Sequence, residues 1–321
     1  MIRISAGTAH ILGFCHINTD VLPTTAYLMT GERCIYNCGF CPQSRTASSR
    51  PNLLSRITWL DADLEDVAKN ITTAFDAGRI KRVCLQAVSG SQTLTSIKHI
   101  ISTIKRSSNV PFCVSARLKN SNELKSLADS NADRITVALD AASPKVFGEV
   151  KNGSWEKTLE MLTNAVKLQP GRISTHLIVG LGETEEEMVR IIQQMRDMGI
   201  TTGLFAFTPV PGTRMALFSP PKLDSYRRIQ VARYLIEEGL ILASQCKFNS
   251  GLLTSFGLNR VVLKKCLVNG KAFQTSGCPD CNRPYYNERP GGVLYNYPSE
   301  LTPGEIEAAI YTVLFSLEEE G

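Results

Sequence analysis

Short apolar runs alternate with amphipathic segments along the first three quarters of the chain. The apolar runs have the length and pattern of strands and lie at 26–29, 82–88, 111–116, 134–140, 173–180, 203–210 and 240–246. The segments between them repeat apolar residues every three to four positions, as helices do, near 61–77, 92–106, 121–130, 154–168, 184–198 and 223–238. Such regular alternation predicts βαβ units around a parallel sheet. We expect an α/β fold, a partial or full (βα) barrel, with a doubly wound open sheet as the alternative.

Each predicted strand has one aliphatic face and one polar or sulfur-bearing face. Because successive side chains of a strand point to opposite sides, Val83 and Leu85 share one face, and Cys84 and Gln86 share the other. Cys113 falls on the corresponding face of the next strand. Barrel interiors are usually filled by branched aliphatic residues. The polar face therefore predicts a lumen that holds a hydrophilic molecule, and a normal core with a few small polar residues is the alternative.

The periodicity ends near residue 247. The stretch 247–300 is rich in Gly, Pro, Asn and Tyr, and a helical pattern returns near 303–318. Long irregular segments in compact proteins are usually functional. We therefore expect a barrel core with an N-terminal extension at 1–246 and a functional tail with a terminal helix at 247–321.

Composition narrows the class of protein. The chain has 321 residues, of which 43% are hydrophobic, and its net charge is +5, too small a surplus to indicate nucleic-acid binding by itself. The sequence contains no apolar run of about 18 residues and no leader pattern, so we expect a cytoplasmic protein with no membrane span and no nucleic-acid partner. In a reducing compartment, ten cysteines indicate metal binding or chemistry rather than disulfides.

Three cysteines follow the first predicted strand in the string Cys34-Ile-Tyr-Asn-Cys38-Gly-Phe-Cys41. Three thiolates at this spacing can hold three irons of a cubane cluster and leave the fourth iron open to a small chelating molecule. Zinc is the alternative, but a structural zinc site normally takes four protein ligands.

This spacing at this place resembles the radical S-adenosylmethionine (radical SAM) superfamily, and the resemblance extends over about residues 25–245. It implies a [4Fe–4S] cluster on Cys34, Cys38 and Cys41, with S-adenosylmethionine on the open iron and Phe40 packed near its adenine. The implied chemistry is one-electron cleavage of the sulfonium to a 5′-deoxyadenosyl radical. That reaction implies an electron donor such as ferredoxin or flavodoxin.

The same resemblance implies further cofactor-binding positions. Gln86 and Ser89, at the end of the second predicted strand, match the segment that binds the methionine amine, although the usual acidic residue is absent there. Asp140 is suited to a ribose hydroxyl, and Lys157 falls near a carboxylate-binding arginine of biotin synthase. A helix cap for Asp140 and a solvated surface charge for Lys157 are the alternatives.

Within the superfamily, the chain most resembles biotin synthase. His176 and Ile178 lie in a string that resembles the adenine-binding motif of the fifth strand, and its continuation Val-Gly-Leu-Gly-Glu-Thr at 179–184 is shared with biotin synthase. Cys84 and Cys113 match two ligands of that family's second cluster, but Ser174 stands at the position of the third. A small buried thiol remains the alternative for both cysteines.

The tail carries a second cysteine motif, Cys278-Pro-Asp-Cys281. Two thiolates at this spacing commonly chelate one metal centre, so we expect an auxiliary iron–sulfur cluster, with Cys84 and Cys246 as candidate further ligands. A zinc knuckle is the alternative, because zinc ribbons use the same spacing.

This tail, together with Phe205-Ala-Phe-Thr-Pro-Val-Pro-Gly-Thr, resembles the biotin-synthase-related proteins that form one component of the two-protein lipoyl synthase. The resemblance implies sulfur insertion at an unactivated carbon of an octanoyl chain on a lipoyl carrier protein, in concert with a companion radical SAM enzyme. A biotin-synthase-like enzyme for a free small molecule is one alternative. A protein without catalytic activity, either an iron–sulfur sensor or a zinc-stabilised nucleic-acid module, is the other.

Overall fold

The computed structural model describes residues 2–288 and 291–317. Its strands are β1 Ile2–Ser5, β2 Thr25–Thr30, β3 Leu53–Leu54, β4 Ile57–Ala62, β5 Arg82–Ala87, β6 Phe112–Ser115, β7 Arg134–Thr136, β8 Ile173–Val179, β9 Thr201–Ala206, β10 Lys247–Asn249 and β11 Leu252–Ser255. Its helices are α1 Ala6–Ile11, α2 Leu64–Asp76, α3 Thr93–Lys105, α4 Ser121–Ala128, α5 Pro144–Val150, α6 Trp155–Leu168, α7 Glu185–Asp197, α8 Leu223–Glu237, α9 Arg260–Leu267 and α10 Pro303–Phe315.

A nine-stranded sheet organises the molecule, in the order β3-β4-β1-β2-β5-β6-β7-β8-β9. Strands β2 and β5 to β9 are parallel to one another, while β1 pairs antiparallel with both β2 and β4. The sheet is curled but does not close, because β3 and β9 remain at its two edges. The prediction of an α/β fold built as a partial (βα) barrel is confirmed, and the full barrel is excluded.

The six predicted helices of the barrel are all present, and each of their ends lies within three residues of the predicted one. Their limits follow local chemistry. In α7, for example, the Thr184 hydroxyl accepts a hydrogen bond from the Glu187 N–H, and the Glu187 carboxylate accepts one from the Thr184 N–H. This reciprocal cap satisfies two backbone donors that a helix otherwise leaves unpaired.

The alternation of strand faces predicts the interior correctly. Val83 and Leu85 are completely buried beneath the helices, whereas Cys84 and Gln86 line the inner cavities. The same holds for His176, which faces inward from β8. The interior of the half-barrel therefore contains open space, and the polar and sulfur-bearing face of the strands borders it together with aromatic side chains.

The predicted strand at 240–246 is wrong. Gly239 adopts a φ of 70° after α8, and the chain then forms a 3-10 helix at Ala243–Gln245. The segment does show strand-like alternation, because Leu240 and Leu242 are exposed while Ile241 is 2% exposed. Among the residues that the structure describes, however, no strand pairs with this segment.

The tail is more regular and more integrated than the sequence predicts. It contains the β10–β11 hairpin and helix α9, and it ends in the predicted terminal helix, α10. Residue 318, the predicted end of that helix, lies outside the described residues. Phe256, Leu263, Leu267 and Phe273 are at most 1% exposed and belong to the same hydrophobic core as the barrel. None of the helices in the described ranges is both long enough and apolar enough to cross a lipid bilayer.

Candidate functional site

The three-cysteine segment forms a compact loop directly after β2. Its backbone is fixed by hydrogen bonds from the Cys34 N–H to the Gln43 carbonyl (2.9 Å) and from the Cys41 N–H to the Cys38 carbonyl (3.2 Å). The Gly39 N–H donates to the Val150 carbonyl at 2.7 Å. A side chain at Gly39 would come within 2.8 Å of the Arg214 guanidinium and would displace the end of that flexible side chain.

The thiols of this loop lie close enough to influence one another. Burial raises the pKa of Cys38 and Cys41, and the neighbouring Cys38 and Cys34 sulfurs raise the Cys41 pKa further. In the described part of the chain, no three His, Cys, Asp or Glu side chains surround a single ion position. A cubane cluster gives each thiolate its own iron, so three adjacent thiols without a common centre fit such a cluster better than a zinc ion.

A cavity of roughly 500 Å³, which we call the upper cavity, opens beside this loop. Its volume lies in the range of small-molecule sites. It is bordered by the three cysteines and by five of the positions predicted to bind cofactor. These five residues are Phe40, Gln86, Ser89, Asp140 and Lys157.

A buried ion pair marks the floor of the upper cavity. The Asp140 carboxylate lies 2.8 Å from the Lys151 ammonium, and both side chains are almost fully buried. Asp140 has a φ of 67°, a conformation uncommon for residues other than glycine. Its backbone is nevertheless fixed, because its N–H donates to the His176 carbonyl and its own carbonyl accepts from the Ile178 N–H, both at 2.8 Å.

Cationic side chains border the upper cavity on the same side. The Arg117 guanidinium lies 3.6 Å from the centroid of the Tyr36 ring, and its buried Nη1 has no hydrogen-bond partner among the described residues. Lys157 is exposed at the rim. A buried donor of this kind suits an anionic group. Three thiols, cations, a carboxylate and an aromatic ring around one cavity fit an iron–sulfur cluster with S-adenosylmethionine.

A second space, which we call the central cavity, measures roughly 230 Å³ and adjoins the upper cavity. Phe40, Cys41, Gln86 and Asp140 line both cavities. His176 and Ile178, also predicted to bind cofactor, line the central cavity and not the upper one.

Burial lowers the pKa of His176 to about 4, and the positive charge of Arg283 acts in the same direction. The imidazole is therefore neutral at pH 7. It packs edge-on against the Phe205 ring at 4.9 Å.

Four cysteines meet at the end of the central cavity farther from the upper one, and we call them the four-cysteine cluster: Cys84, Cys113, Cys278 and Cys281. Cys84 and Cys113 are register partners on the adjacent parallel strands β5 and β6. The tail enters the half-barrel and places Cys278 in hydrogen-bond contact with Cys113. All ten cysteines of the chain are free thiols.

Basic and hydroxyl groups surround the four-cysteine cluster. Arg82 Nη1 donates to the Cys113 sulfur at 2.6 Å, and the Tyr27 hydroxyl lies 3.3 Å from the Cys281 sulfur. Arg283 is buried, donates to the Ser276 carbonyl at 2.8 Å and lies over the Phe205 ring. The hydrogen bond between Cys278 and Cys113 lowers the pKa of Cys278 and raises that of Cys113, and burial raises the pKa of Cys84 and Cys281. Positive charge and donors around thiols stabilise their ionised form, in which they bind metals.

The structure does not bring Cys246 to this cluster. Cys246 packs against the outer core and lines neither cavity, and burial raises the pKa of its thiol to about 11. Cys113 is the fourth cysteine of the cluster instead of Cys246. The sequence matched Cys113 to a cluster ligand of biotin synthase, with a small buried thiol as the alternative. The signal was present, because Cys113 and Cys84 share the inner face of neighbouring strands. The contributions of Arg82 and Arg283 were missed, because the first depends on the pairing of β5 with β6 and the second on how the tail folds back.

Comparisons with known proteins agree with this arrangement. A biotin synthase of Buchnera aphidicola is 24% identical over 237 residues, covering 71% of this chain and 66% of that protein. A lipoyl synthase of Alkaliphilus metalliredigens is 22% identical over 220 residues, covering 64% of this chain and 70% of that protein. The chain thus spans slightly less than two thirds of the length of the biotin synthase.

Two solved structures share the fold. The FeFe-hydrogenase maturase HydG from Carboxydothermus hydrogenoformans matches with a TM-score of 0.52 and 18% identity, over 68% of this chain and 53% of that one. Methylornithine synthase matches with a TM-score of 0.50 and 12% identity, over 65% of this chain and 62% of that one. The family description "Radical SAM superfamily" matches residues 28–195, more than half of the chain and the segment that contains the three-cysteine loop. This protein therefore belongs to the radical SAM superfamily and is related to biotin synthase and lipoyl synthase.

Proposed function

We propose that this protein inserts sulfur at an unactivated carbon of an octanoyl chain bound to a lipoyl carrier protein, as one component of a two-protein lipoyl synthase. One observation carries the proposal. The central cavity is lined both by Cys41 of the three-cysteine loop and by all four residues of the four-cysteine cluster. A substrate in this cavity would lie between two groups of metal-binding thiols.

The chemistry explains why both groups are needed. Hydrogens on an alkyl chain are not acidic, so a general base cannot remove them. When bound, the [4Fe–4S] cluster with S-adenosylmethionine supplies a radical able to remove such a hydrogen, and an auxiliary cluster supplies the sulfur. Cys34, Cys38 and Cys41 would hold the first cluster.

The four-cysteine cluster has the donor set for the auxiliary iron–sulfur cluster. Arg82 and Arg283 would offset the negative charge of four thiolates, and the donor to Cys113 would orient that ligand. Aromatic side chains, among them Phe205 and Phe207, line the cavity between the two cysteine groups and would exclude water from the substrate.

The proposal includes three partners. They are the companion radical SAM enzyme, the octanoylated carrier protein and an electron donor such as ferredoxin or flavodoxin. The similarity to proteins named lipoyl synthase supports an acyl substrate. A biotin-synthase-like reaction on a free small molecule is the second candidate, favoured by the similarity to biotin synthase and by the inward-facing Cys84 and Cys113.

The reaction itself tests the proposal. Reconstituted protein, reductant and S-adenosylmethionine are incubated with an octanoyl-lysine carrier peptide, with and without the companion enzyme. We expect mass spectrometry to show 5′-deoxyadenosine and a peptide that has gained sulfur. Sulfur in added dethiobiotin instead of the peptide would favour the second candidate, and the absence of 5′-deoxyadenosine would exclude both.

Three cysteine variants separate the two groups. Cys34→Ala is expected to abolish 5′-deoxyadenosine formation, because the first cluster loses a ligand. Cys281→Ala should keep 5′-deoxyadenosine formation, lose sulfur insertion and bind about half the iron. Cys246→Ala is the matched control, since Cys246 lies outside both cavities and should leave all three readouts unchanged. Equal iron content in wild type and Cys281→Ala would remove the auxiliary cluster from the proposal.

A further inference from the structure

A third space, the lateral cavity, opens at the edge of the half-barrel and measures roughly 310 Å³. It lies between the segment 17–23, the β3–β4 hairpin and the tail residues that follow the four-cysteine cluster. Ile17, Val21, Ile57 and Pro284 give it a largely apolar wall. None of the cofactor-binding positions discussed above lines it.

The lateral cavity is adjacent to the central cavity. Tyr27, Trp59, Arg283 and Tyr286 line both, so these four residues form the partition between them. The turn of the β3–β4 hairpin is attached to the tail at this point, because the Ser55 hydroxyl donates to the Tyr286 carbonyl at 3.0 Å. Substrate that passes this partition would reach the four-cysteine cluster directly.

The partition contains an unsatisfied donor. Trp59 is 2% exposed, and its indole N–H has no hydrogen-bond partner among the described residues. A buried donor without a partner costs free energy, and a ligand acceptor removes that cost. The lining also contains polar residues, among them Asn18, Arg56 and Arg283. An unpaired N–H in a cavity with an apolar wall suits a carbonyl on an apolar chain.

The arrangement of the cavities also requires a second opening. The upper cavity borders the three-cysteine loop and has the groups suited to S-adenosylmethionine. A chain that remains attached to a carrier protein therefore needs another path to the central cavity. The lateral cavity, which none of the three cysteines of the loop lines, provides one beside the β3–β4 hairpin.

We propose that the lateral cavity binds the carbonyl-proximal half of a carrier-linked acyl chain, with the carbonyl on the Trp59 indole N–H and the far end of the chain in the central cavity. This inference rests on the function proposed above and adds the route and the binding site of the substrate. Trp59 is a binding residue in this arrangement, and the apolar wall selects for an alkyl chain.

Photo-crosslinking of the reconstituted protein locates the chain. Two octanoyl-lysine peptides are used, one with a diazirine next to the carbonyl and one with a diazirine at the end of the chain. The carbonyl-proximal probe is expected to label residues 17–21, 57–59 or 284–286. Labelling at Ser154 or Lys157, on the rim of the upper cavity, would overturn the inference.

The end-of-chain probe distinguishes failure of the inference from failure of the proposed function. Phe205 and Phe207 line the central cavity and are the expected labelling sites by either route. If this probe labels the central cavity while the first labels the upper rim, only the lateral route is wrong. If neither probe labels any cavity residue, the acyl substrate itself is wrong and the proposed function fails with the inference.

Paired variants give an independent measurement. Val21→Trp fills the lateral cavity and should weaken peptide binding at least about tenfold, as expected when a bulky side chain occupies the site. Leu22→Trp is the matched control, because Leu22 is 42% exposed and does not line the cavity. Equal affinity of the two variants, measured by fluorescence anisotropy, would contradict the inference.

Substitution of each of the two tryptophans of the chain tests the role of the Trp59 indole N–H as the donor to the carbonyl. Trp59→Phe should weaken binding of the octanoyl peptide about fivefold, the typical effect of losing one hydrogen bond. Trp155→Phe should leave the affinity unchanged, because Trp155 packs against Phe147 away from all three cavities. In an NMR spectrum of the indole N–H groups, bound peptide should shift the Trp59 signal downfield and not that of Trp155. An unshifted Trp59 signal in the peptide complex would overturn the assignment of the carbonyl.

Discussion

The two groups of cysteines in this protein are built in opposite ways. The three-cysteine loop takes all its thiols from eight consecutive residues, and backbone hydrogen bonds attach it to Ser89, Val150 and Met215. The four-cysteine cluster takes Cys84 and Cys113 from two strands, and Cys278 and Cys281 from a tail almost 200 residues away along the chain. A local site needs little beyond its own loop, whereas an assembled site depends on the stability of the whole fold. The two groups should therefore respond differently to substitutions in the core.

The largest expected difference follows from Phe273→Ala. Phe273 is fully buried and anchors the tail just before Cys278. Its truncation should lower the free energy of unfolding by about 4 kcal/mol, the usual cost of a large cavity in a core. Chemical denaturation measures that loss, and iron analysis should show that the four-cysteine cluster is depleted before the three-cysteine loop. Phe315→Ala is the control, because Phe315 is 79% exposed. Equal iron loss from both groups would remove the distinction between them.

A substitution beside the three-cysteine loop should also destabilise the protein, by a different mechanism. Lys151→Met leaves the buried Asp140 carboxylate without its partner and should cost about 3 kcal/mol. Asp140→Asn combined with Lys151→Met should recover most of the loss, because no unpaired charge remains. Urea unfolding of the two variants measures this coupling. If the effects of the two substitutions on the free energy of unfolding simply add, the ion pair does not stabilise the floor of the upper cavity.

The pH dependence of stability should depend on His176. Its pKa is lowered to about 4, so the unfolded chain binds more protons than the folded one between pH 4 and about 6.5. Stability is therefore lost as the pH falls through this window, by about 2 kcal/mol from this residue. His176→Gln should reduce the loss between pH 7 and pH 4.5, while His99→Gln, at an exposed position, should not. Identical pH profiles for wild type and His176→Gln would contradict the buried, neutral imidazole.

The smallest effect is expected at the contact between β2 and the tail. Tyr27→Phe removes a hydroxyl that accepts the Arg283 N–H at 3.0 Å and lies beside the Cys281 sulfur. The loss should be about 1 kcal/mol, as for a typical hydrogen bond. Tyr311→Phe, at a residue 65% exposed, is the control in the same thermal unfolding assay. A neutral Tyr27→Phe would show that the tail is held at this point by packing alone.

Much of the barrel could be predicted because its information is local. The helix periods and caps, such as Thr184 with Glu187, belong to neighbouring residues. The alternation on β5 correctly assigned Cys84 to the interior and Leu85 to the helix side. The segment 240–246 shows the limit of this reasoning, since its pattern suits a strand and only the absence of a pairing neighbour prevents one.

Part of the candidate site could likewise be predicted from local sequence, and part could not. The spacing of Cys34, Cys38 and Cys41 was enough to indicate a cluster with an open iron, because three ligands so close in sequence have few other uses. The alternation of strand faces already placed Cys113 beside Cys84, but the sequence did not show that the tail reaches this face and leaves Cys246 outside the cluster. The sequence also did not predict the antiparallel strands β1, β3 and β4, because strands of two to six residues are too short to show a clear periodicity.

The sequence by itself determined the superfamily, the βαβ units around a parallel sheet and the three-cysteine loop, because strand parity, helix period and ligand spacing are short-range properties of the chain. The tertiary structure decided the rest. It brought Cys278 and Cys281 to Cys84 and Cys113, and it opened a lateral cavity beside Trp59. These features arise from contacts between distant segments, whose geometry is set by the packing of the whole core.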